Sequence, residues 1–465
     1  MTLIKSISGI RGTIGGHAGE GLTPPDIIKF VSAYGSILQS QFNSSKLKVV
    51  IGRDARMSGA MVNALVSACL SGLGIEVIDL GLSTTPTVEM AVVDFKAQGG
   101  IILTASHNPK QWNALKLLDS KGEFISEALG KELLEKAEQG NFSYAPVDEL
   151  GIVRSEGNYL NTHIAKILAL PYVDVEAVKK AGFSVVVDAI NSSGAIAVPA
   201  LLKAMGVEKV EVIHAEMHGN FAHNPEPLPD HLIELSNRVL ETKANLGISV
   251  DPDVDRLAFV SDNGEMFGEE YTLVAVADRV LTFHPGGNTV SNLSSTRALR
   301  DITEKHGGNY SASAVGEVNV VRQMKATNAV IGGEGNGGVI LPELHYGRDA
   351  LVGIAIFLTH LAKLNVSTSE LRSSYPNYFI SKNKIDLTPG INVDDILIKM
   401  SEKYRDVPVN KEDGLKIEFS KEWVHLRKSN TEPIIRIYSE SSDEAKANQL
   451  ALKIMTEIRQ LAQAN

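Results

Sequence analysis

The chain has 465 residues, of which 43% are hydrophobic and 22% charged, and its formal net charge is −10. Because this length exceeds one ordinary hydrophobic core, three or four domains are expected. The negative balance argues against non-specific binding to nucleic acid or to membrane surfaces, which needs a basic face. The single cysteine, Cys69, excludes an intramolecular disulfide framework, and its apolar neighbours predict a buried position.

The chain shows no secretory or membrane-spanning pattern. Residues Met1 to Lys5 lead directly towards a glycine-rich turn, which does not fit a signal peptide. The longest apolar stretch, residues 350–362, is too short to span a bilayer. We therefore expect a cytoplasmic enzyme.

Three successive parts of the chain share one pattern of predicted elements. Each reads strand, helix, strand, helix, strand and then a polar turn, beginning near Lys48, Val185 and Thr289. This alternation predicts βαβ units in mixed or mostly parallel sheets. Ligands bind at the carboxyl ends of such strands, so the three turns are expected to face one central cleft. The turns comprise residues 104–109, 251–256 and 332–338.

The last quarter of the chain has a different pattern. A strand at 378–382, a helix at 393–404 and a final helix from about Asp443 to Ala462 predict a small α+β domain. The predicted fold is therefore α/β, with three similar mixed-sheet α/β domains plus a smaller C-terminal α+β domain. The predicted domains are 1–150, 151–262, 263–370 and 371–465.

The first turn reads Thr-Ala-Ser-His-Asn-Pro and places Ser106 directly after an apolar strand. A lone serine in such a turn more often caps the next segment, and His107 alone is an ordinary turn residue. The chain lacks the Gly-x-Ser-x-Gly pattern of an α/β-hydrolase. The interpretation of Ser106 therefore depends on the other turns.

The second turn places three carboxylates, Asp251, Asp253 and Asp255, directly after another apolar strand. Their spacing matches the start of an EF-hand loop, but Arg256 stands where that loop needs glycine and Asp262 where it needs glutamate. A solvated acidic turn is the alternative to a metal site. Three anions at a strand end are costly without a cation, so we favour Mg²⁺. A nucleophile-type serine and a hard-metal site together suggest phosphoryl transfer through a phosphoserine.

The third turn includes Gly333 to Gly338 and formally matches the dinucleotide motif Gly-x-Gly-x-x-Gly. Pro342 comes too soon for the helix that this motif requires, and Glu334 would repel a pyrophosphate. Glu334 and Asn336 better suit hydrogen bonds to sugar hydroxyls. An ordinary glycine-rich turn is the alternative.

Further basic side chains suit a phosphate ligand. Arg11 lies in an apolar, glycine-flanked opening, and Lys116 follows the serine turn, where a lysine suits a proton shuttle or a charge clamp. A segment of the last domain combines planar guanidinium groups with neutral donors, although a solvated loop is the alternative. The candidates in that segment are Arg427, Ser429, Asn430, Thr431 and Arg436.

Taken together and in this order, the four loops resemble those of the α-D-phosphohexomutase superfamily over essentially the whole chain. The serine turn and the Asp-Pro-Asp-x-Asp-Arg loop are the most specific to it. The resemblance implies four domains around one deep cleft and a phosphoserine at Ser106. It also implies one Mg²⁺ per chain, held by Asp251, Asp253 and Asp255 together with Ser106 and its phosphate.

The resemblance assigns roles to the other candidates as well. Glu334 and Asn336 would contact sugar hydroxyls. The reacting phosphate would be lined by Arg11, His107, Lys116 and Arg256. The phosphate that is not transferred would be held by Arg427, Ser429, Asn430, Thr431 and Arg436.

The implied reaction moves phosphate between C6 and C1 of a hexose phosphate through a sugar 1,6-bisphosphate, which would also act as the activator. The chain departs from the common family pattern at the sugar loop, where many members have Ser at the Asn336 position and His at the Gly338 position. It also has Ala114 where Gly is usual, and Ile7 and Ser8 where Thr-Asp is common. The first departure bears on the choice of sugar.

The sugar loop, with the following Tyr346 to Ala350, resembles archaeal-type and Bacteroidetes-type members assigned as phosphoglucosamine mutases. The leading hypothesis is therefore conversion of glucosamine 6-phosphate to glucosamine 1-phosphate. The alternatives are a phosphoglucomutase/phosphomannomutase, a non-catalytic sugar-phosphate binder, and a phosphatase in which water intercepts the phosphoserine. Arg348 either contacts phosphate or pairs with Asp349. We expect a monomer or a homodimer, without nucleic-acid or membrane partners.

Overall fold

The computed structural model describes residues 2–6, 9–42, 46–386, 392–428 and 434–463. Contacts between Cα atoms divide the chain into two compact units. Unit 1 comprises Met1–Val280 and Gly337–Ser369, and unit 2 comprises Leu281–Asn336 and Glu370–Asn465. The boundaries predicted for four separate domains stay predictions.

The first sheet lies in unit 1 and has the strand order β1-β2-β6-β5-β3-β4-β7. Its central strands β3, β4 and β5 are parallel, whereas β6 runs antiparallel to β5. β5 is buried along its whole length and β3 at every residue except its two ends, as expected for strands of a sheet that helices cover. The elements are β1 (Ile4–Ser6), β2 (Gly9–Thr13), α1 (Pro24–Gln41), β3 (Lys48–Arg53), α2 (Gly59–Gly72), β4 (Glu76–Leu82), α3 (Thr85–Asp94), β5 (Gly99–Leu103), β6 (Trp112–Leu118), α4 (Glu127–Gln139) and β7 (Val153–Ser155).

The second sheet also lies in unit 1, with the order β11-β10-β8-β9. β10 is buried along its whole length, is parallel to β8 and antiparallel to β11. The antiparallel return of β11 makes the turn after β10 a tight one. The elements are α5 (Tyr159–Leu168), α6 (Val175–Ala181), β8 (Ser184–Asp188), α7 (Gly194–Ala204), β9 (Lys209–Ile213), α8 (Ile233–Thr242), β10 (Leu246–Val250), β11 (Leu257–Ser261) and α9 (Glu269–Leu281).

In unit 2, strand β12 (Thr289–Asn292) of the third sheet is parallel to both of its neighbours, β13 (Tyr310–Ser313) and β14 (Ile331–Glu334). The chain then returns to unit 1, where a long apolar helix packs against α5, α6 and α7. Burial of each large apolar side chain on that helix stabilises the fold by about 1.5–3 kcal/mol. The elements are β12 (Thr289–Asn292), α10 (Ala298–Lys305), β13 (Tyr310–Ser313), α11 (Glu317–Thr327), β14 (Ile331–Glu334), β15 (Gly338–Ile340), α12 (Ala350–Leu364) and α13 (Thr368–Ser374).

The prediction that a turn begins at Gly332 is wrong, because β14 continues to Glu334. Gly332 pairs with Val290, and a Cβ atom on Gly332 would lie 2.6 Å from the Met324 sulfur and 2.7 Å from the Val290 carbonyl oxygen. Glycine therefore belongs to the strand here, since only glycine lets the strand pass this close to α11.

The C-terminal part of unit 2 is an antiparallel sheet with the order β16-β20-β19-β18-β17, covered by two helices. Asp443 caps the last helix, because its Oδ1 accepts the Lys446 N–H at 2.9 Å. The elements are β16 (Phe379–Asp386), α14 (Val393–Lys403), β17 (Val409–Asn410), β18 (Leu415–Glu418), β19 (Trp423–Lys428), β20 (Ile434–Ser441) and α15 (Glu444–Gln463).

These sheets confirm the predicted fold class of three α/β domains and a smaller α+β domain. Cys69 is buried, as predicted, with its sulfur 3.1 Å from the Ser32 hydroxyl. Within the described ranges, no single helix is long and apolar enough to cross a membrane, and α12 and α13 pass that test only as a pair bent by 89°.

Candidate active site

The serine turn follows β5 in unit 1 and holds Ser106 in a left-handed conformation, with φ of 47° and 7% exposure. Two buried side chains, those of Thr104 and Asp54, hold the turn in place. The Ser106 N–H donates to Thr104 Oγ1 at 3.0 Å, and Thr104 Oγ1 donates to Asp54 Oδ2 at 2.6 Å. A strained backbone held by surrounding hydrogen bonds is typical of a functional turn.

Arg56 is the second support of the serine turn, and it is almost completely buried. Its guanidinium donates to the Asn108 and Pro109 carbonyls at 2.7 and 2.8 Å, and also to the Ser106 carbonyl. Asp54 pairs with its Nε at 3.0 Å, so the charge of Arg56 is compensated within the core. One planar cation therefore sets the shape of the whole turn.

The carboxylate turn follows β10, and Asp251, Asp253 and Asp255 are all 0% exposed. Asp251 Oδ2 accepts the Ser106 hydroxyl at 2.7 Å, which joins the serine turn and the carboxylate turn directly. Asp251 Oδ1 accepts the N–H groups of Asp255 and Arg256, both at 3.1 Å. Val254, at the centre of the turn, has a φ of 61°, which is a strained conformation for a β-branched residue.

Two buried cations face these carboxylates. Lys116 Nζ lies 2.7 Å from Asp253 Oδ2 and 3.2 Å from Asp255 Oδ2, and Arg348 Nη2 lies 2.8 Å from Asp255 Oδ2. Although burial disfavours its charge, Lys116 has a pKa held above its ordinary value by Asp253 and Asp255. Lys116 in turn lowers the pKa of Asp253 against the effect of burial. Lys116 is therefore a fixed positive charge beside Ser106.

The three aspartates fit a Mg²⁺ ion. Their ligand atoms lie within 4.8 Å of one another. Burial, together with the charges of Asp253 and Asp255, raises the pKa of Asp251. Three ionised carboxylates at this site are therefore unfavourable without a cation. Among the described residues, buried Oδ1 atoms of Asp253 and Asp255 have no hydrogen-bond partner. Oxygen ligands left without donors in a buried acidic site are what a hard cation requires.

Arg11 and Arg256 lie close to the serine turn, and His107 belongs to it. Arg11 Nη1 reaches Asn108 Oδ1 at 3.5 Å, and Arg256 Nη1 pairs with Glu226 Oε1 at 3.2 Å. Burial and Arg256 lower the pKa of Arg11, and they lower the pKa of His107 to about 2. Guanidinium groups that disfavour each other's charge mark a site that an anion would stabilise.

The sugar-loop candidates lie in unit 2. Glu334 is 5% exposed, and its Oε1 accepts the Asn292 amide at 3.0 Å and the Gly316 N–H at 3.1 Å. Asn336 is partly exposed at the end of the same segment. Glu334 is thus held in one orientation by donors from β12 and the start of α11.

The phosphate-loop candidates also lie in unit 2. Arg427 on β19 and Arg436 on β20 are directly opposed in the antiparallel ladder. Asp413 Oδ2 lies 2.9 Å from Arg427 Nε, and Arg436 is exposed. Like charges in directly opposed positions destabilise a sheet. Asp413 offsets the charge of Arg427, so the exposed Arg436 is the group that we expect to bind an anion. The candidates Ser429, Asn430 and Thr431 lie outside the described residues.

Several residues of unit 1 were missed from the sequence, above all Asp54, Arg56 and Thr85. Thr85 Oγ1 donates to Asp253 Oδ2 at 2.6 Å, and its N–H donates to the Asp253 carbonyl. The available signal was an acid and an arginine two residues apart, directly after the apolar strand β3. Thr85 gave no signal beyond its place at the start of a helix.

Comparison with known proteins agrees with this geometry. Models of the phosphoglucomutase/phosphomannomutase family match the chain as its alpha/beta/alpha domains I, II and III (residues 3–143, 161–264 and 268–378) and its C-terminal domain (390–457).

Two curated relatives match almost end to end. A phosphoglucomutase/phosphomannomutase of Thermococcus kodakarensis is 37% identical over 96% of this chain and 98% of its own length. A phosphoglucosamine/phosphogalactosamine mutase of Sulfurisphaera tokodaii is 33% identical over 97% and 98%.

Among solved structures, a phosphoglucomutase/phosphomannomutase family protein from Burkholderia thailandensis shares the fold, with a TM-score of 0.82, 24% identity and coverage of 99% and 98%. The chain therefore belongs to the phosphoglucomutase/phosphomannomutase family of the α-D-phosphohexomutase superfamily, and it is a phosphohexomutase, an isomerase that acts on hexose phosphates.

Proposed function

We propose that the enzyme interconverts glucosamine 6-phosphate and glucosamine 1-phosphate through a phosphoserine at Ser106 and a 1,6-bisphosphate intermediate. The observation that carries this proposal is the contact of 2.7 Å between Ser106 Oγ and Asp251, with Lys116 held at the same carboxylate cluster. A hydroxyl in a strained, buried turn beside a site for a hard cation suits reversible phosphoryl transfer.

In the first half-reaction, the P–Oγ bond of phosphoserine breaks and a P–O bond forms to the free sugar hydroxyl. The sugar hydroxyl loses one proton, and Ser106 Oγ gains one. The bisphosphate then turns over, and its other phosphate returns to Ser106, so that protons and phosphates balance over the cycle. A trace of the 1,6-bisphosphate would load Ser106 at the start and thus act as the activator.

Each candidate has a place in this scheme. Ser106, Asp251, Asp253 and Asp255 would hold one Mg²⁺, which neutralises charge on the transferring phosphate when bound. Glu334 and Asn336 would position the sugar hydroxyls. The transferring phosphate would be lined by Arg11, His107, Lys116, Arg256 and Arg348, and the other phosphate by Arg427, Ser429, Asn430, Thr431 and Arg436.

The choice of sugar rests on the Asn336 variant of the sugar loop and on the name of the Sulfurisphaera tokodaii relative. A second candidate, phosphoglucomutase/phosphomannomutase activity, is favoured by the higher identity of 37% to the Thermococcus kodakarensis relative. The chemistry at Ser106 is the same in both cases.

Turnover of glucosamine 1-phosphate, glucose 1-phosphate and mannose 1-phosphate, each with Mg²⁺ and the matching 1,6-bisphosphate, distinguishes these candidates. A preference for the amino sugar of roughly tenfold or more in kcat/KM, or about 1.4 kcal/mol, supports the proposal. Equal or faster turnover of glucose or mannose phosphate supports the second candidate. Absence of turnover on all three would favour a sugar-phosphate binder, and release of inorganic phosphate would favour a phosphatase.

The covalent intermediate has its own test. Intact-mass measurement after incubation with the bisphosphate should show a species heavier by about 80 Da, the mass of one added phosphate. The species should be absent from the Ser106→Ala variant. Its persistence in that variant would place the phosphate elsewhere.

A further inference from the structure

Unit 1 contains a second cluster of metal-ligating side chains that the proposed chemistry does not use. It consists of Asp188, at the carboxyl end of β8, and of His214 and His223 on the segment that follows β9. Asp188 Oδ1 lies 3.0 Å from His214 Nδ1, and Asp188 Oδ2 lies 2.8 Å from His223 Nε2. Asp188 is buried, whereas the two imidazole side chains are 15% and 18% exposed, so the cluster opens to solvent.

The outer nitrogen of each imidazole is already engaged. His223 Nδ1 lies 2.8 Å from the carbonyl oxygen of Asn224, which only accepts, so this nitrogen carries the proton of a neutral ring. The lone pair on Nε2 then faces a carboxylate oxygen, a second acceptor. His214 repeats the pattern, with Nε2 3.3 Å from Glu234 Oε2 and Nδ1 towards Asp188. Each inner nitrogen therefore shares either a proton or a metal ion with Asp188.

Metal-binding histidines show this arrangement, in which one nitrogen binds the ion and the other donates to a carboxylate or a backbone carbonyl. The three candidate ligand atoms lie within 4.8 Å of one another. We propose that Asp188, His214 and His223 bind a divalent transition-metal ion, with Zn²⁺ the expected occupant, at a site separate from the three aspartates. Two imidazoles and one carboxylate favour Zn²⁺ or Co²⁺ over Mg²⁺.

The backbone around the cluster supports a built site. Ile190, Asn191, His214 and Met217 have φ values of 47°, 54°, 52° and 50°. Asn and His adopt this conformation more readily than other side chains, so the strain lies at Ile190 and Met217, and a bound ion is one interaction that would offset it. Among the described residues, His163, His345 and Asp349 form a further group of histidine and carboxylate side chains, but they lie in the interior with little access to solvent, so the entry path is poorer.

The site has a structural consequence for the serine turn. The Gly219 N–H donates to the Asn191 carbonyl at 3.2 Å, and a Cβ atom on Gly219 would lie 2.2 Å from the Ala55 carbonyl oxygen. The segment anchored by the cluster therefore packs against the residue that precedes Arg56. A bound ion would stabilise this support of the serine turn without touching the substrate.

The test uses the full chain without a polyhistidine tag, stripped with a chelator and titrated with Co²⁺ while visible absorption is recorded. The titration is run in the Asp253→Asn background, which disables the catalytic cation site. We expect one equivalent of Co²⁺ to give an absorption band typical of imidazole ligation. His223→Ala and, separately, His214→Ala should weaken its binding by at least roughly tenfold, since even the loss of a hydrogen-bond partner of a metal ligand costs that much. His218→Ala, in the same segment but outside the cluster, is the matched control.

The Tm in the presence of Zn²⁺ is the second readout. Zn²⁺ should raise the Tm of the Asp253→Asn protein, but not the Tm of the double variant that carries both Asp253→Asn and His223→Ala. Circular dichroism verifies that each variant is folded, and His223→Gln replaces His223→Ala if the latter is not. Absence of the Co²⁺ band, or equal binding by the His223 variants and their parent, overturns the proposal and leaves protonated imidazoles as the partners of Asp188.

Discussion

Charged side chains are compensated differently in two regions of the molecule. The first region is the serine and carboxylate turns of unit 1, and the second is the pair of opposed arginines of unit 2. In unit 1, Ser106, Asp253 and Lys116 are buried. Contacts of 2.6–3.2 Å join Ser106 to Asp251, Asp253 to Thr85, and Lys116 to Asp253 and Asp255. In unit 2, Arg427 and Arg436 lie side by side, and Arg436 is exposed. The first region is organised by contacts within the protein, whereas the second exposes Arg436 to solvent, and we propose that it binds an anion.

This difference fits two tasks of a mutase, which must stabilise the phosphate that is transferred and must also bind and release the sugar phosphate. Groups that stabilise a transferring phosphate are most effective when they are fixed in advance in a site that excludes water. A group that holds either end of the same sugar must release it between half-reactions, so partial exposure suits it. The two regions should therefore respond differently to substitution, with loss of kcat in the first and a rise of KM in the second.

The largest effect is expected for Asp253→Asn. The substitution keeps the shape of the side chain but removes a charge that Lys116 and the cation site use, so kcat should fall by about 10²–10³-fold. Steady-state rates with Mg²⁺ measure this, and the unchanged far-ultraviolet spectrum serves as the folding control. Full activity of the variant, or full activity of the wild type without added Mg²⁺, would contradict the assignment of the aspartates.

Arg56→Lys comes next. Lysine keeps the charge but cannot reach the Ser106, Asn108 and Pro109 carbonyls together, so the serine turn shifts. A displacement of this kind lowers kcat by roughly 10- to 100-fold, with little change in KM. Arg53→Lys is the matched control, because Arg53 contacts the Asp54 carbonyl of the same segment and should leave kcat unaltered. Equal effects of the two substitutions would mean that Arg56 only stabilises the fold.

The two turns of unit 1 could be predicted from the sequence, but some of the residues that support them could not. The runs 104–109 and 251–256 predicted the serine and carboxylate turns because each directly follows an apolar strand, and strand ends converge at one edge of an α/β sheet. Arg56 and Thr85 could not be found in this way. Their importance comes from contacts with residues about 50 and about 170 positions away, which tertiary packing alone establishes.

The secondary structure of the sugar loop could not be predicted correctly from the sequence. Glycine at 332 and 333 is read from sequence as a turn, because glycine weakens a strand. The structure instead uses the missing Cβ to bring β14 close to Met324 and Val290. The sequence predicted a helix before this strand, but it gave no sign of how closely Met324 of that helix packs against Gly332.

Arg436→Ala tests the second region. A charge-assisted hydrogen bond contributes about 1.5–3 kcal/mol, so the KM for the hexose phosphate should rise roughly 10- to 100-fold. The value of kcat at saturation should change much less. Lys428→Ala is the control, since Lys428 is exposed and pairs with Asp394. A fall of kcat with unchanged KM would remove the distinction between the two regions.

The smallest effect should appear behind the carboxylate turn, where His345 pairs with Glu89 and Asp349 at 3.3 Å each. Burial lowers the pKa of His345, but Asp349 and Glu89 outweigh it and raise the pKa to about 9. The folded-state pKa exceeds the ordinary 6.5, so the stabilisation is complete below pH 6.5 and is lost as pH rises through about 9.

The free energy of unfolding of wild type and His345→Gln, measured between pH 6 and pH 10, isolates this contribution. Glutamine does not titrate, so the wild type should be more stable by at most about 3 kcal/mol at low pH, and the gap should narrow through pH 9. His218→Gln, at an exposed position, is the matched control. A gap that stays constant with pH would mean that His345 is uncharged in the folded protein.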